Sequence, residues 1–332
     1  MNRSVVVLGV LGVAVGLVAC GGDSTDIANL DGGTDTGVVV DTGLQVDTGN
    51  PNDSSVDDTG TTTDSSVADS GSDTSTPDAS SFNVGAVSGL ALWLDANKGV
   101  TQNAGKVSSW ADQSGNNNNA VQSNANNRPG FTAAAINSLP GVHFDMAAQA
   151  GTFMTIVDAA TLSWSTGDYY LVAVLRYNND PLQQGGFTNR FGTVYFKEGQ
   201  NPSAGPVLFA NGPGNTVTSG FATQMSAAAA DRLLSTGNGY NDNKGQAFSV
   251  HRGGTTLELR HNGALDGTKT VTAVDVSAPT IDVTIGASGG GGNFAASRLN
   301  GDIAEVIAVK GAISNGDLTG IEGYLKAKYA LP

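Results

Sequence analysis

Leu90–Asn119 reads LALWLDANKGVTQNAGKVSSWADQSGNNNN. Leu90, Leu92 and Leu94 recur with period two, and Val107, Ser109 alternate with Ser108, Trp110, so the stretch predicts two β-strands. Asn97-Lys98-Gly99 and the polar run from Asp112 onward are turn signals. A hydrophobic strand pair ending in a Trp and an Asn-rich loop is the opening of an all-β domain.

The chain continues in the same idiom. Asp168–Tyr177 (DYYLVAVLRY) places Tyr169, Leu171, Ala173, Leu175 and Tyr177 on one face and Tyr170, Val172 and Val174 on the other, which predicts a central strand covered on both sides. Further strands are expected at Thr193–Lys197, Val207–Ala210, Gln246–His251, Thr256–His261, Thr270–Val274, Ile281–Ile285 and Gly301–Val309. Asn262-Gly263 is a hairpin turn signal. One helix is expected near the C-terminus, with Ser314 as N-cap, Asp317 closing a weaker capping box, and Leu318, Ile321, Leu325 and Tyr329 as one apolar stripe. Many short strands and one helix predict a two-sheet antiparallel sandwich over 83–332.

Upstream the composition changes abruptly. Of 30 acidic residues, 13 lie between 21 and 82, a span without Lys, Arg or Glu; the 250 residues from 83 onward hold 17 acidic and 15 basic residues. Nearly all of the formal charge of −14 therefore belongs to the tail. The folded part has no basic patch, which argues against nucleic acid as a partner. The tail is Asp, Thr, Ser and Gly, too polar to offset the entropy of ordering, and it reads as a disordered tether with a reach of about 40–45 Å. Asp-Thr-Gly recurs at Asp35, Asp41, Asp47 and Asp58. These copies lack the hydrophobic flanks of a folded cleft, and an aspartic-protease reading is rejected.

Residues 1–20 read MNRSVVVLGVLGVAVGLVAC. A positive start at Arg3 and an apolar run from Val5 to Val18 form an export signal. Leu17-Val18-Ala19-Cys20 resembles a bacterial lipobox, and Cys20 is the only cysteine in the chain. The resemblance implies a signal peptide over 1–19, a lipidated Cys20 opening the 20–82 tether, and anchorage to the bacterial outer membrane or cell surface.

In the folded part, LALWLDANKGV, VSSWADQSGNNNNA, NRPGF, LPGVHFD and GDIAEVIAV, followed by a helix ending EGYLKAKY, resemble the laminin-G-like, concanavalin A-like lectin/glucanase domains of bacterial surface proteins. The resemblance covers about 87–331 and implies a jelly roll. This fold hosts lectins, glycoside hydrolases, lyases and adhesive modules, so it leaves the function open.

Catalytic signatures are sparse. Retaining glycosidases of this fold use an E-x-D-x-x-E pair; the domain's four glutamates, Glu198, Glu258, Glu305 and Glu322, lie far apart and never form it. Glu305 is the single candidate acid, set against a role as a paired structural carboxylate. Gly286-Ala287-Ser288-Gly289-Gly290 matches a nucleophile elbow, but more glycine follows where a helix is needed. Asp112, Ser114 and Asn116 have the 1, 3, 5 spacing of a calcium loop, yet Asn117 and Ser123 stand where Gly and Glu belong; a turn held by its own side chains is the other reading. Calcium is thus the one cofactor that any spacing suggests, since His143, His251 and His261 lack zinc-ligand spacing.

For sugar recognition, which uses aromatic faces and hydroxyl-binding polar groups, the candidates are Trp110, Asp112, Asn116, Trp164, Tyr195 and Tyr240. The leading expectation is a carbohydrate-binding or adhesive domain; a glycan hydrolase or lyase and a protein-binding scaffold are the alternatives.

Overall fold

The strand at Tyr169–Tyr177 (β8) lies at the middle of its sheet. In the computed structural model the residues described are 81–145, 151–177, 192–199, 204–210, 220–226, 229–288 and 298–332, all within the unit Ser70–Pro332. The expectations for Cys20, the tether and the glycine run 289–292 lie outside them.

Among the described residues seventeen strands precede the helix in chain order: β1 Leu90–Asp95, β2 Val100–Asn103, β3 Lys106–Trp110, β4 Ala120–Val121, β5 Gly130–Ile136, β6 Leu139–Phe144, β7 Met154–Ile156, β8, β9 Thr193–Phe196, β10 Ala204–Phe209, β11 Ala222–Ser226, β12 Arg232–Leu234, β13 Gly245–Gly253, β14 Thr256–His261, β15 Ala264–Thr270, β16 Val283–Ile285 and β17 Gly301–Lys310, with α1 at Asn315–Tyr329. One sheet runs β15-β14-β13-β8-β17-β6-β5, with β1 paired to the far half of β17; the other runs β12-β11-β10-β9-β16-β7-β4-β3-β2. All pairings are antiparallel. This is the expected two-sheet sandwich.

The two faces of β8 do different work. Tyr169, Leu171, Ala173, Leu175 and Tyr177 pack between the sheets, while Tyr170, Val172 and Val174 pack beneath α1 against Leu318, Ile321, Leu325 and Tyr329. Ser314 caps the helix, accepting from Asp317 N at 3.0 Å, and its hydroxyl donates to Asp317 Oδ2 at 2.7 Å.

The opening strands depart from simple alternation. Leu90 pairs with Val309 and Leu92 with Ala308, so β1 carries one extra residue. That bulge turns Leu90 toward the helix layer while Leu92 and Leu94 face the intersheet core. A second bulge, at Ser108 in β3, brings Val107 and Trp110 onto the same buried face despite their odd spacing.

Among the described residues three hairpins close with two residues at positive φ: Asn262-Gly263 (48° and 81°), as expected, Asn137-Ser138 (47° and 60°) and Ala104-Gly105 (52° and 74°). The strand expected at Thr270–Val274 is displaced upstream to β15, because the Asn262-Gly263 turn sets where β14 returns. β5, β11 and β12 were not legible, since they lack clean alternation.

Candidate functional site

Three of the proposed ligand aromatics are core residues. Trp110, Trp164 and Tyr195 are 0%, 3% and 0% exposed. The β3 bulge turns Trp110 inward, Tyr195 lies on the fully buried β9, and the Trp164 ring sits 5.9 Å from that of Tyr169. They hold the sheets together and cannot meet a ligand.

The Asn-rich loop serves the β1 bulge. Asp112 Oδ1 accepts from Trp93 N and Ser114 N, both at 2.9 Å, and Oδ2 accepts from Ser114 Oγ at 2.7 Å and Asn118 N at 3.0 Å. Asn116 Nδ2 donates to Leu90 O at 2.9 Å, and Asn118 Nδ2 donates to Ala91 O at 2.8 Å, so the carbonyls freed by the bulge are satisfied. With both carboxylate oxygens occupied by donors, Asp112, Ser114 and Asn116 form a turn rather than a calcium site. Among the described residues no group of three or more His, Cys, Asp or Glu side chains is placed to hold a metal.

Glu305 is likewise structural. Its Oε1 accepts from Trp93 Nε1 at 2.6 Å and Tyr324 OH at 3.2 Å; its Oε2 accepts from Lys328 Nζ at 2.7 Å and Tyr329 OH at 2.9 Å. Lys328 also pairs with Asp95 Oδ2 at 2.9 Å, opposite Glu305 across β1 and β17. Burial pushes the Glu305 carboxyl up, against the charge of Lys328. Glu322 fastens the other side of α1, accepting from Arg260 Nε at 2.8 Å and Nη2 at 3.0 Å. Glu258 stands beside His251 at 3.4 Å, and Glu198 accepts from Gln224 Nε2 at 2.9 Å.

The remaining candidate, Tyr240, lies at a cleft of about 710 Å³ at one end of the sandwich. Its walls are the β12–β13 loop, the turns at Asn137 and Asn262, and the residues after α1. Half-buried Tyr240 donates to Asp266 Oδ2 at 2.8 Å, and its ring lies 4.3 Å from His261 and 5.4 Å from Phe248. Gln246 Nε2 donates to Tyr240 O at 2.7 Å and Asp242 Oδ1 at 2.9 Å, which leaves Gln246 Oε1 to accept from His261 Nε2 at 2.9 Å. That fixes the ring tautomer, and Nδ1 becomes the acceptor of the neutral imidazole. Burial lowers the His261 pKa, so the ring is neutral at pH 7.

Arg176 forms the opposite wall. Its Nε and Nη2 donate to Asp302 Oδ2 at 3.1 and 2.7 Å, while Asp302 Oδ1 accepts from Thr132 Oγ1 at 2.6 Å and pairs with His143 Nδ1 at 3.2 Å. Burial pushes Asp302 upward, but the hydrogen bonds from His143, Thr132 and Arg176 outweigh it and hold the carboxyl below its ordinary range. The Asp302 hydrogen bond raises His143. A depressed carboxyl stabilises the fold above its unfolded value of about 3.9, and that contribution is lost as pH falls through the folded value. Asp302→Asn is therefore expected to flatten the acid limb of a melting-temperature profile, with its loss of stability greatest at neutral pH. Sequence reasoning missed this cluster because its members lie at 132, 143, 176 and 302, joined only by strand register.

No protein-family model and no curated protein matches the chain. Among solved structures, the binding domain of Paraclostridial Mosquitocidal Protein 1 aligns with a TM-score of 0.51 at 9% identity, over 72% of this chain and 52% of that one. The chain thus spans about half the length of that structure. Domain 4 of AbnA, an extracellular arabinanase from Geobacillus stearothermophilus, solved in complex with arabinotriose, aligns at 0.46 and 10% identity, over 71% and 99%. Trypanosoma rangeli sialidase aligns at 0.47 and 15%, over 70% and 33%. At these identities the likeness is one of fold alone, and the class it defines is the antiparallel two-sheet β-sandwich.

Proposed function

We propose that this chain is a glycan-binding surface lipoprotein: exported by residues 1–19, acylated at Cys20, and carrying its sandwich on the 20–82 tether at the outer membrane or cell surface. The observation that supports the binding role is the composition of the end cleft. Tyr240 and His261 supply ring surface for the apolar face of a sugar, while Asn137, Asn238 and Arg176 supply amide and guanidinium groups for hydroxyls. Asp242 is the one carboxylate side chain in the lining, and it is paired with Lys244 at 3.0 Å and accepts from Gln246 Nε2 at 2.9 Å; glycosidases use two carboxyl groups, so the lining favours holding a glycan over cleaving one.

A glycan array probed with the purified protein tests the reading. Tyr240→Ala is expected to weaken retention about tenfold, a loss of ~1.4 kcal/mol, with the melting curve showing the variant folded. An array that stays blank, or a variant that binds as well as the parent, sinks the assignment. The anchor is tested by metabolic palmitate labelling, which Cys20→Ser abolishes.

A further inference from the structure

One wall residue of the cleft, Arg176, continues into a polar row beyond the lining. Strand register sets Gly245 beside Arg176, Arg176 beside Asp302, Asp302 beside His143, and His143 beside Gly130. Directly paired residues project to the same face of a sheet, so Arg176, Asp302 and His143 form one polar row across β8, β17 and β6. From β13 to β5 the row spans roughly 19 Å at ~4.8 Å per strand. The Asp302 side chain is buried (3% exposed), whereas Arg176 and His143 present 27% and 44% of theirs to solvent.

The charges along this path are compensated in place. Arg176 is paired with Asp302 at 2.7 Å and Lys244 with Asp242 at 3.0 Å. Farther along the same end, Arg260 is paired with Glu322. An anionic ligand would have to draw Arg176 away from Asp302 and leave a buried carboxylate without its counter-ion, which is a costly exchange. A protein partner finds little to bury: the exposed large hydrophobics among the described residues, Val121, Val157, Leu234 and Leu265, do not line the cleft. What suits amides, paired ions and ring surface without net charge is an uncharged, hydroxyl-rich chain.

We propose that the cleft and the row from Arg176 to His143 form one track for a neutral oligosaccharide, its first sugar at Tyr240 and His261 and its later sugars over Arg176 and His143. The proposal rests on the glycan-binding reading and adds ligand class and direction to it.

Calorimetric titration of the full-length protein tests it, at alkaline pH where His143 is neutral. The probes are neutral gluco-, xylo-, manno- and arabino-oligosaccharides from disaccharide to hexasaccharide, set against oligogalacturonides. The expected result is binding of a neutral series, at least tenfold tighter for the hexasaccharide than the disaccharide and unchanged by salt. His143→Ala is expected to weaken the hexasaccharide several-fold and leave the disaccharide unaffected. His143→Gln, which can keep a hydrogen bond to Asp302, serves if the alanine variant does not fold. Tighter, salt-sensitive binding of oligogalacturonides overturns the ligand class and leaves the glycan reading standing. Affinity independent of length, or a disaccharide equally weakened by the His143 change, overturns the track. If neither series binds, the glycan reading falls and takes the track with it.

Discussion

Replacing Glu305 with alanine is expected to destabilise the sandwich by about 3–5 kcal/mol, the cost of breaking a buried ion pair from one side. The carboxylate is the common acceptor for Trp93, Tyr324, Lys328 and Tyr329, so its loss strands donors from both β1 and α1. Asp95 retains its contact with Lys328, which limits the damage to the ammonium itself. Glu305→Gln keeps an acceptor but loses the charge opposite Lys328, and a smaller fall is expected. The measurement is urea denaturation, in which the midpoint drops while the slope stays constant. An alanine variant as stable as the parent would mean that α1 is held by its apolar stripe and the Arg260–Glu322 pair without the Glu305 cluster.

Trp110→Ala is expected to cost about as much, ~3–5 kcal/mol, for a different reason. The ring is wholly enclosed among intersheet side chains, and β3 and its neighbours cannot collapse into the vacated volume without giving up ladder pairing with β2 and β4. Thermal denaturation reads the loss. Glycan affinity per folded molecule should be unchanged, since Trp110 does not line the cleft. A variant of near-normal stability with lost binding would restore Trp110 as a ligand contact and displace the cleft.

These two residues mark how much the chain's linear order discloses. Glu305 was legible as a candidate acid or a paired carboxylate, because a lone Glu in an apolar strand must be one or the other; its four partners were not, as they come from β1 and the far end of α1. Trp110 was legible as the end of a strand, but period-two alternation put it opposite Val107. A single bulge residue, Ser108, reverses that face, and nothing local in Lys106–Trp110 announces it.

By itself the sequence determined the class of fold: β8 with two apolar faces, the Asn262-Gly263 turn, and a capped helix with one apolar stripe. Each of these depends on spacing within a few residues, where backbone geometry and burial act directly. Only the tertiary structure decided which polar residues meet. Arg176, Asp302 and His143 are brought side by side by antiparallel register between strands distant in sequence, and Tyr240 reaches His261 through a loop that crosses the end of the sandwich. The tertiary structure also withdrew Trp110, Trp164 and Tyr195 from the surface, because an aromatic ring beside a two-sheet core gains more from burial than from exposure.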